Sequence, residues 1–288
     1  MSSIMTNASA LQALQSLSST NKSLETTQSR ISTGYRVATA SDNAAYWSIA
    51  TTMRSDNKAL SAVQDSLGLG AGKIDTAYTG MNSAIKVVDD IKAKLISARG
   101  ASAEDQDKIQ TEITQLQGQL QSIGIGANYA GSNLLATDDT ATIEVVASYN
   151  RASDGTTSVS TIDIDVSTIA LMAADGGDGG LLDDIMAIDV AGADGTAIDG
   201  FLTDLETGLS SMATAAADLG ATKTRIDLQK NFISNLMDSI DRGVGSLVDA
   251  DMNKESTRLQ ALQVQQQLGI QALSIANSNS QQILSLFR

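Results

Sequence analysis

The chain has 288 residues with no Cys, His or Pro, and its formal net charge is −14. Without Cys or His, the chain has neither a disulfide framework nor an imidazole that could act as a base or a metal ligand. The acidic balance argues against nucleic acid and anionic membrane surfaces as partners, and no apolar run is long enough to span a bilayer.

The negative charge is concentrated in one stretch. Between Asp138 and Gly200 there are thirteen acidic residues and a single basic one, Arg151, whereas acids and bases nearly balance in the rest of the chain. The same stretch is rich in Gly. This distribution predicts a nearly neutral frame interrupted by an acidic insert at about residues 139–200.

The chain begins with an amphipathic pattern among Ser, Thr, Asn and Gln, which predicts a helix with one apolar face. The start has no basic segment followed by an apolar one, so we expect no Sec-type signal peptide. The apolar positions of this face that we expect to take part in subunit assembly are Leu11, Leu14, Leu17, Leu24 and Ile31.

A strict heptad pattern follows, which predicts a long helix from Met53 to Leu95 with one face in a helical core. Three glycines at 68, 70 and 72 interrupt its interior, and each costs about 1 kcal/mol of helix stability relative to Ala. The predicted core positions are Leu60, Leu67, Ile74, Met81, Val88 and Leu95.

A shorter apolar stripe from Ile109 to Ile123 predicts a second helix that ends near Gly124 and Gly126. The insert follows. The segments "ATIEVVASYN" and "STIDIDVSTI" alternate apolar and polar residues, as half-buried strands do, with a hairpin turn at Arg151–Thr156. "DGGDGG" at Asp175–Gly180 is interpreted as a flexible loop, and "LLDDIMAIDV" as a short helix or strand. We expect a small outer domain here.

After the insert, an apolar stripe runs from Leu202 to Leu247 with alternating spacings of three and four residues. It predicts a third helix, about as long as the first long one, with Ile226, Ile233 and Ile240 in its core face. Lys223 and Lys230 occupy core-stripe positions. They either extend their ammonium groups to the edge of the bundle or fix the helix register.

The apolar phase shifts by one residue after Leu247, which predicts a break before a final helix. Unusually for a chain end, this tail is rich in large apolar residues. Burial on a single partner helix leaves part of this surface in water, so we expect both chain ends to be disordered in a lone subunit and to fold when other copies cover them. In the assembled state we expect the tail to pack against the N-terminal helix and neighbouring copies. The assembly residues predicted in the tail are Leu259, Leu262, Leu273, Ile283 and Phe287.

The fold class predicted by these patterns is mainly α. It is a long antiparallel coiled-coil-like helical bundle formed by both chain ends, with a small β-containing variable insert. "GLGAG" at Gly68–Gly72 resembles a nucleotide loop only superficially, because it lies inside the heptad helix, and a bend or close helix contact is favoured. The acids at 175–184 could ligate Ca²⁺, but their spacing favours a solvated loop. We predict no catalytic, cofactor-binding or metal-binding residues and no enzymatic activity.

Three separated segments resemble bacterial flagellins: "ISTGYRVATASDNAAYWSIATTMRSDNKAL" (Ile31–Leu60), "QTEITQLQGQLQSIGIGANYAGSNLL" (Gln110–Leu135) and "QVQQQLGIQALSIANSNSQQILSLFR" (Gln263–Arg288). They occur in the order of that family and at its distances from each end. The insert carries no such motif. Tyr46–Trp47 departs from the small residues that many relatives have.

The resemblance implies a secreted structural subunit that polymerises into the extracellular flagellar filament for swimming motility. It also implies a terminal helical domain, D0, at 1–40 with 248–288, and a helical rod, D1, at 41–138 with 201–247. Expected partners are other copies of the chain, a flagellar export chaperone at the C-terminal helix, and the filament cap and hook-junction proteins, after export through the flagellar type III apparatus.

Three other hypotheses remain. A hook–filament junction protein would share the terminal helices but not the dense central match. An adhesin or coiled-coil stalk would need a Sec signal or membrane anchor. A secreted metal-dependent enzyme is opposed by the absence of His and Cys.

Overall fold

The computed structural model describes residues 7–138, 142–152, 154–177 and 179–286, with only the backbone for 279–286. The chain divides into two compact units, of which unit 1 comprises Met1–Asn57 with Asp238–Arg288 and unit 2 comprises Lys58–Met237. The described part of the acidic insert therefore belongs to unit 2 and does not form a third unit.

Helices dominate the described residues, and the fold class predicted from the sequence is confirmed. The helices are α1 (Ala8–Thr33), α2 (Ala44–Ala98), α3 (Ala103–Gly126), α4 (Asp183–Met186), α5 (Gly195–Val248) and α6 (Met252–Leu286), and a 3-10 turn spans Val166–Thr168. The strands are β1 (Asn128–Tyr129), β2 (Ser132–Asn133), β3 (Thr142–Arg151) and β4 (Thr157–Asp165), which form two antiparallel pairs, β1–β2 and β3–β4.

In unit 2, α2 and α5 run antiparallel with their apolar stripes buried. Ion pairs mark the register, because Lys92 contacts Glu206 and Arg99 Nη2 lies 2.7 Å from Asp199 Oδ2. The predicted core residues with buried side chains are Leu60, Leu67, Ile74, Met81, Val88, Leu95, Ile226 and Ile233. Ile240 belongs to unit 1 and is half-buried against a small cluster there.

Lys223 lies at the edge of the bundle, with its ammonium paired to Asp75 and 5.9 Å from the centre of the Tyr78 ring. The hydrogen bond to the Asp75 carboxylate raises the pKa of Lys223 above its ordinary value. Lys230 is half-buried. The stripe position of Lys223 therefore accommodates a charge, because the residue is only half-buried and its ammonium group reaches the Asp75 carboxylate.

The glycines of "GLGAG" lie inside the continuous helix α2, where two of them permit close contacts with the rest of unit 2. A Cβ on Gly70 would lie 2.5 Å from Val145 Cγ1 of β3, and one on Gly72 would lie 2.5 Å from Tyr129 Cζ. Gly70 thus lets β3 of the insert approach the helix backbone, and Gly72 lets β1 do so. Close contacts are therefore present at these glycines, but the partners are residues of strands β3 and β1 and not of another helix.

The predicted hairpin is present as β3 and β4, with an irregular register between Val146 and Ser148. Its turn is closed by a hydrogen bond from the Ala152 amide to the Thr156 carbonyl (2.8 Å). Asp154 accepts hydrogen bonds from the Thr156 hydroxyl and amide, which lower the pKa of its carboxyl.

The rest of the insert is more buried than the sequence suggested. Leu182, Ile185, Ile188 and Val190 are almost inaccessible, and the Gln117 amide group donates to the carbonyls of Ile185 (3.1 Å), Met186 (3.3 Å) and Ile188 (3.2 Å). The apolar residues of this segment are thus buried within unit 2, a burial that the sequence did not indicate. Helix α5 also begins at Gly195, inside the predicted insert.

Candidate subunit-assembly surface

The two terminal helices of the chain meet in unit 1, and local sequence determines where α1 begins and ends. Asn7 is its N-cap, with the side-chain oxygen accepting from the Ala10 amide at 3.0 Å. Gly34 ends the helix with a φ of +76°, a conformation that favours Gly. The Ala250 amide then donates to the Gly34 carbonyl at 2.8 Å, so the end of α1 lies beside the start of α6.

The break between α5 and α6 lies at residues 249–251, where the sequence predicted a phase shift, and it positions α6. The carboxylate of Asp251 accepts from the amides of Asn253 and Lys254 and so caps α6. Beneath the break, Val37 and Val248 lie in a small apolar cluster of unit 1. The amides of Arg36 and Val37 both donate to the Val248 carbonyl.

Helices α1 and α6 pack antiparallel over most of their described length. The Asn7 side-chain amide donates to the Ala276 carbonyl at 3.0 Å, and Gln266 donates to the Asn21 side chain at 2.9 Å. Between these bonds, a Cβ on Gly269 would lie 3.0 Å from Leu17 Cδ1. The prediction that the tail packs on the N-terminal helix is therefore confirmed.

A buried charged group lies at the other end of this helix pair. The Glu255 side chain is 8% exposed, and its Oε1 lies 3.4 Å from Arg30 Nη1 and 3.7 Å from Arg258 Nη1. Thr27, one turn before Arg30, is also buried. Because a buried carboxylate is costly without a cation, these contacts favour one register of α1 against α6.

The structure divides the predicted assembly residues into two groups. Leu17, Leu24, Ile31, Leu259, Leu262 and Leu273 are half-buried. Leu11 and Leu14 stay exposed, at 62% and 55%. The side chain of Ile283 and the whole of Phe287 lie outside the described residues.

A second set of apolar side chains lies on α6 with more than half of each exposed. These residues are Val264, Leu268, Ile270 and Ile275. The predicted assembly set omits them, although Val264, Leu268 and Ile275 follow one helical line in the sequence. Helix α6 thus has apolar residues both where it contacts α1 and on its outer surface. This distribution is typical of a helix that is buried on several sides.

No candidate metal centre is found within the part of the chain that the structure describes. That part contains no group of three or more acidic side chains placed to hold a metal ion. The Asp175 and Asp183 carboxylates accept hydrogen bonds from the nearby amides of Gly177 and Gly179. None of the helices described is both long and apolar enough to cross a lipid bilayer.

Comparison with known proteins identifies the family. Residues 4–168 match the model of the bacterial flagellin N-terminal helical region, and residues 202–287 match that of the C-terminal helical region. The first match extends into the acidic insert, so the expectation that the insert carries no family match is wrong for residues 139–168.

Curated relatives resemble the chain over its full length. A Flagellin from Brucella melitensis biotype 1 is 59% identical over 292 residues, and Flagellin C from Rhizobium meliloti strain 1021 is 47% identical over 321 residues. Each match covers 100% of both chains.

Among solved structures, a chain from Vibrio parahaemolyticus assigned as a flagellar hook-associated protein has a TM-score of 0.54. The match covers 72% of this chain and 100% of that one at 16% identity, so it shows the fold alone. The alternative of a hook-junction protein gains nothing from it, since both family models and the curated relatives are flagellins. The chain belongs to the bacterial flagellin family and is a structural subunit of the flagellar filament, not an enzyme.

Proposed function

We propose that the outer faces of α1 and α6 are the surfaces through which this flagellin contacts neighbouring copies in the filament. Self-polymerisation and a place in the extracellular flagellum follow from the family. The observation that carries the proposal is the exposed apolar surface of the paired terminal helices, at Leu11 and Leu14 on α1 and at Val264, Leu268 and Ile275 on α6.

The physical reason is the cost of leaving these side chains in water. Burying a Leu or Ile side chain is worth about 1.5–3 kcal/mol. One α1–α6 pair leaves several of them uncovered, and they cluster on two helices instead of being scattered singly, as on ordinary surfaces. Neighbouring copies that cover both helices provide this burial, and the helices gain order as they assemble.

The domain boundaries expected from the family accompany this proposal. Residues 1–40 with 248–288 form D0, the part that assembles through its terminal helices, and 41–138 with 201–247 form the rod D1 around the buried stripes. Residues 139–200 are the variable acidic segment, whose charge keeps the filament surface solvated.

The uncovered tail helix also needs protection before assembly. We therefore propose a flagellar export chaperone as a partner that covers α6. The filament cap and hook-junction proteins are proposed as further partners at the ends of the filament. Titration of the purified chain with such a chaperone, followed by hydrogen exchange, would locate the contact. Protection confined to α6 supports this partner.

The proposal is tested by a charged substitution on the outer face of α6. Leu268→Glu is expected to raise the critical concentration for polymerisation about tenfold or more, because the new carboxylate would be buried between copies. Gln267→Glu, at the adjacent exposed position, is the matched control and should polymerise like the unaltered chain. Sedimentation measures the critical concentration of each variant, and electron microscopy shows whether filaments form. Normal filaments from Leu268→Glu would contradict the proposal.

A further inference from the structure

Helix α5 carries large apolar side chains on an outward-facing stripe in unit 2. Packing within the monomer does not account for them, because they are exposed to solvent. Leu228 and Phe232 are 66% and 58% exposed, and the exposed residues Ala221 and Arg225 continue the same helical line. Arg225 has no hydrogen bond or ion pair among the residues that the structure describes. Leu, Phe and Arg at helical spacing form an interface pattern, since aromatic residues and Arg are enriched at contact surfaces.

A second exposed stripe lies on α2, also in unit 2. It consists of Lys58, Ala62, Asp65 and Leu69, of which Leu69 is 50% exposed. Asp65 has no partner in the described parts of the chain. The centre of this stripe is thus an unpaired acid flanked by one small and one large apolar residue, whereas the α5 stripe has an unpaired base at its centre.

The residue spacings of the two stripes match when the two helices are aligned antiparallel. From Lys58 the spacings on α2 are four, three and four residues, and from Phe232 towards Ala221 the spacings on α5 are also four, three and four. In this antiparallel alignment Asp65 lies opposite Arg225. Large residues meet small ones on both sides of that pair, with Leu228 against Ala62 and Leu69 against Ala221.

The direction of this alignment suits a filament. Within one chain α2 and α5 are antiparallel, as the Lys92–Glu206 and Arg99–Asp199 pairs show. Copies related by rotation and translation along a filament axis keep the same axial direction, so with the long helices along that axis α2 of one copy and α5 of the next are also antiparallel. A contact between two different surfaces is heterologous, and a heterologous contact generates an open helical polymer when the rotation between copies does not close into a ring.

We propose that the α2 stripe of one copy docks on the α5 stripe of a second copy, with Asp65 paired to Arg225 at its centre. The proposal rests on the chain being a filament subunit and adds a specific contact of D1 to it. At the end of the contact, the Lys58 ammonium lies over the exposed Phe232 ring, a favourable cation–π geometry.

Charge reversal tests the pairing. Arg225→Glu and Asp65→Arg each place like charges together, so each full-length variant is expected to raise the critical concentration about tenfold or more. The double variant restores the pair and returns the value to within about threefold of the unaltered chain. An equimolar mixture of the two single variants is also expected to polymerise. When the two variants alternate along the filament, every contact joins one acidic and one basic side chain.

Lys86→Glu and Asp89→Arg are the matched controls, since both residues are exposed on α2 outside the stripe. Circular dichroism of the monomers verifies folding. If Arg225→Glu polymerises like Lys86→Glu, or if neither the double variant nor the mixture recovers, the pairing is wrong. Failure of the unaltered chain to polymerise would instead overturn the filament function itself.

Cross-linking provides an independent test, because the chain has no Cys and so no background disulfides. Ala62→Cys and Leu228→Cys chains are purified separately, mixed, polymerised and oxidised. Opposed Cβ atoms in this contact are close enough for a disulfide. Disulfide-linked dimers are expected in filaments of the mixture and not in filaments of either variant alone. Filaments of the mixture without dimers would overturn the register.

Discussion

Gly68 and Gly70 lie two residues apart in α2, yet the same substitution should affect them differently. Replacing either Gly by Ala adds about 1 kcal/mol of helix stability through helix propensity alone. A Cβ on Gly68 has nothing within 4 Å, whereas one on Gly70 would be 2.5 Å from the stiff Val145 side chain. We predict that Gly68→Ala raises the free energy of unfolding, and that Gly70→Ala is less stable than Gly68→Ala by about 1–3 kcal/mol.

Denaturant unfolding followed by circular dichroism measures both values. Because the propensity gain is common to the two variants, their difference isolates the contact with the hairpin. Equal stabilities would mean that β3 does not press on α2 at Gly70.

Asp42, in the turn after α1, has a pH dependence that can be checked directly. Its carboxylate accepts from the Thr39 and Ala38 amides and from the Thr39 hydroxyl, and these bonds lower its pKa. Because the pKa is lower in the folded state than in the unfolded one, the stabilisation is complete above the unfolded value. It is lost as the pH falls through the folded value.

We predict that the carboxyl of Asp42 titrates below the ordinary value of about 3.9 in an NMR titration. Thr39→Val, which removes the hydroxyl donor, should raise that midpoint, and Thr39→Ser should preserve it. A midpoint that is the same in all three chains would show that the hydroxyl does not contribute.

At the scale of elements, the α1–α6 register depends on the buried Glu255 and its two arginines. Glu255→Ala leaves the Arg30 guanidinium without this partner, so we predict a loss of about 1–3 kcal/mol from unit 1. A double-mutant cycle with Arg30→Ala should then give a clear coupling energy. The single Trp of the chain, Trp47, lies in unit 1, and its fluorescence reports the unfolding. Additive losses would exclude the pairing.

The long helices could be predicted from the sequence because their apolar period is regular over many turns. The contact of Gly70 with Val145 could not, since it joins residues far apart in the chain. The burial of Leu182, Ile185 and Ile188 was also hidden, because their apolar run is short and surrounded by acids. At the terminal helices the pattern predicted that α1 and α6 have apolar faces. It did not distinguish the residues between the two helices from those on the outer face, since Leu262 and Leu268 are equally apolar.

At the scale of the whole molecule, the central claim is that the terminal helices are completed by other copies. The chain presents apolar residues on both helices of the pair, and exposed Leu14 and Leu268 have no function in a monomer that would offset their cost in water. Stability should therefore be uneven, with the termini opening far more readily than the buried stripes of unit 2.

Amide hydrogen exchange on the full-length chain, first as a dilute monomer and then in polymerised filaments, tests this claim most directly. We predict weak protection at Leu14 and Leu273 in the monomer, strong protection at Ile226 in both states, and a large rise at Leu14 and Leu273 on polymerisation. Protection in the monomer that is as strong at Leu14 and Leu273 as at Ile226 would contradict the account.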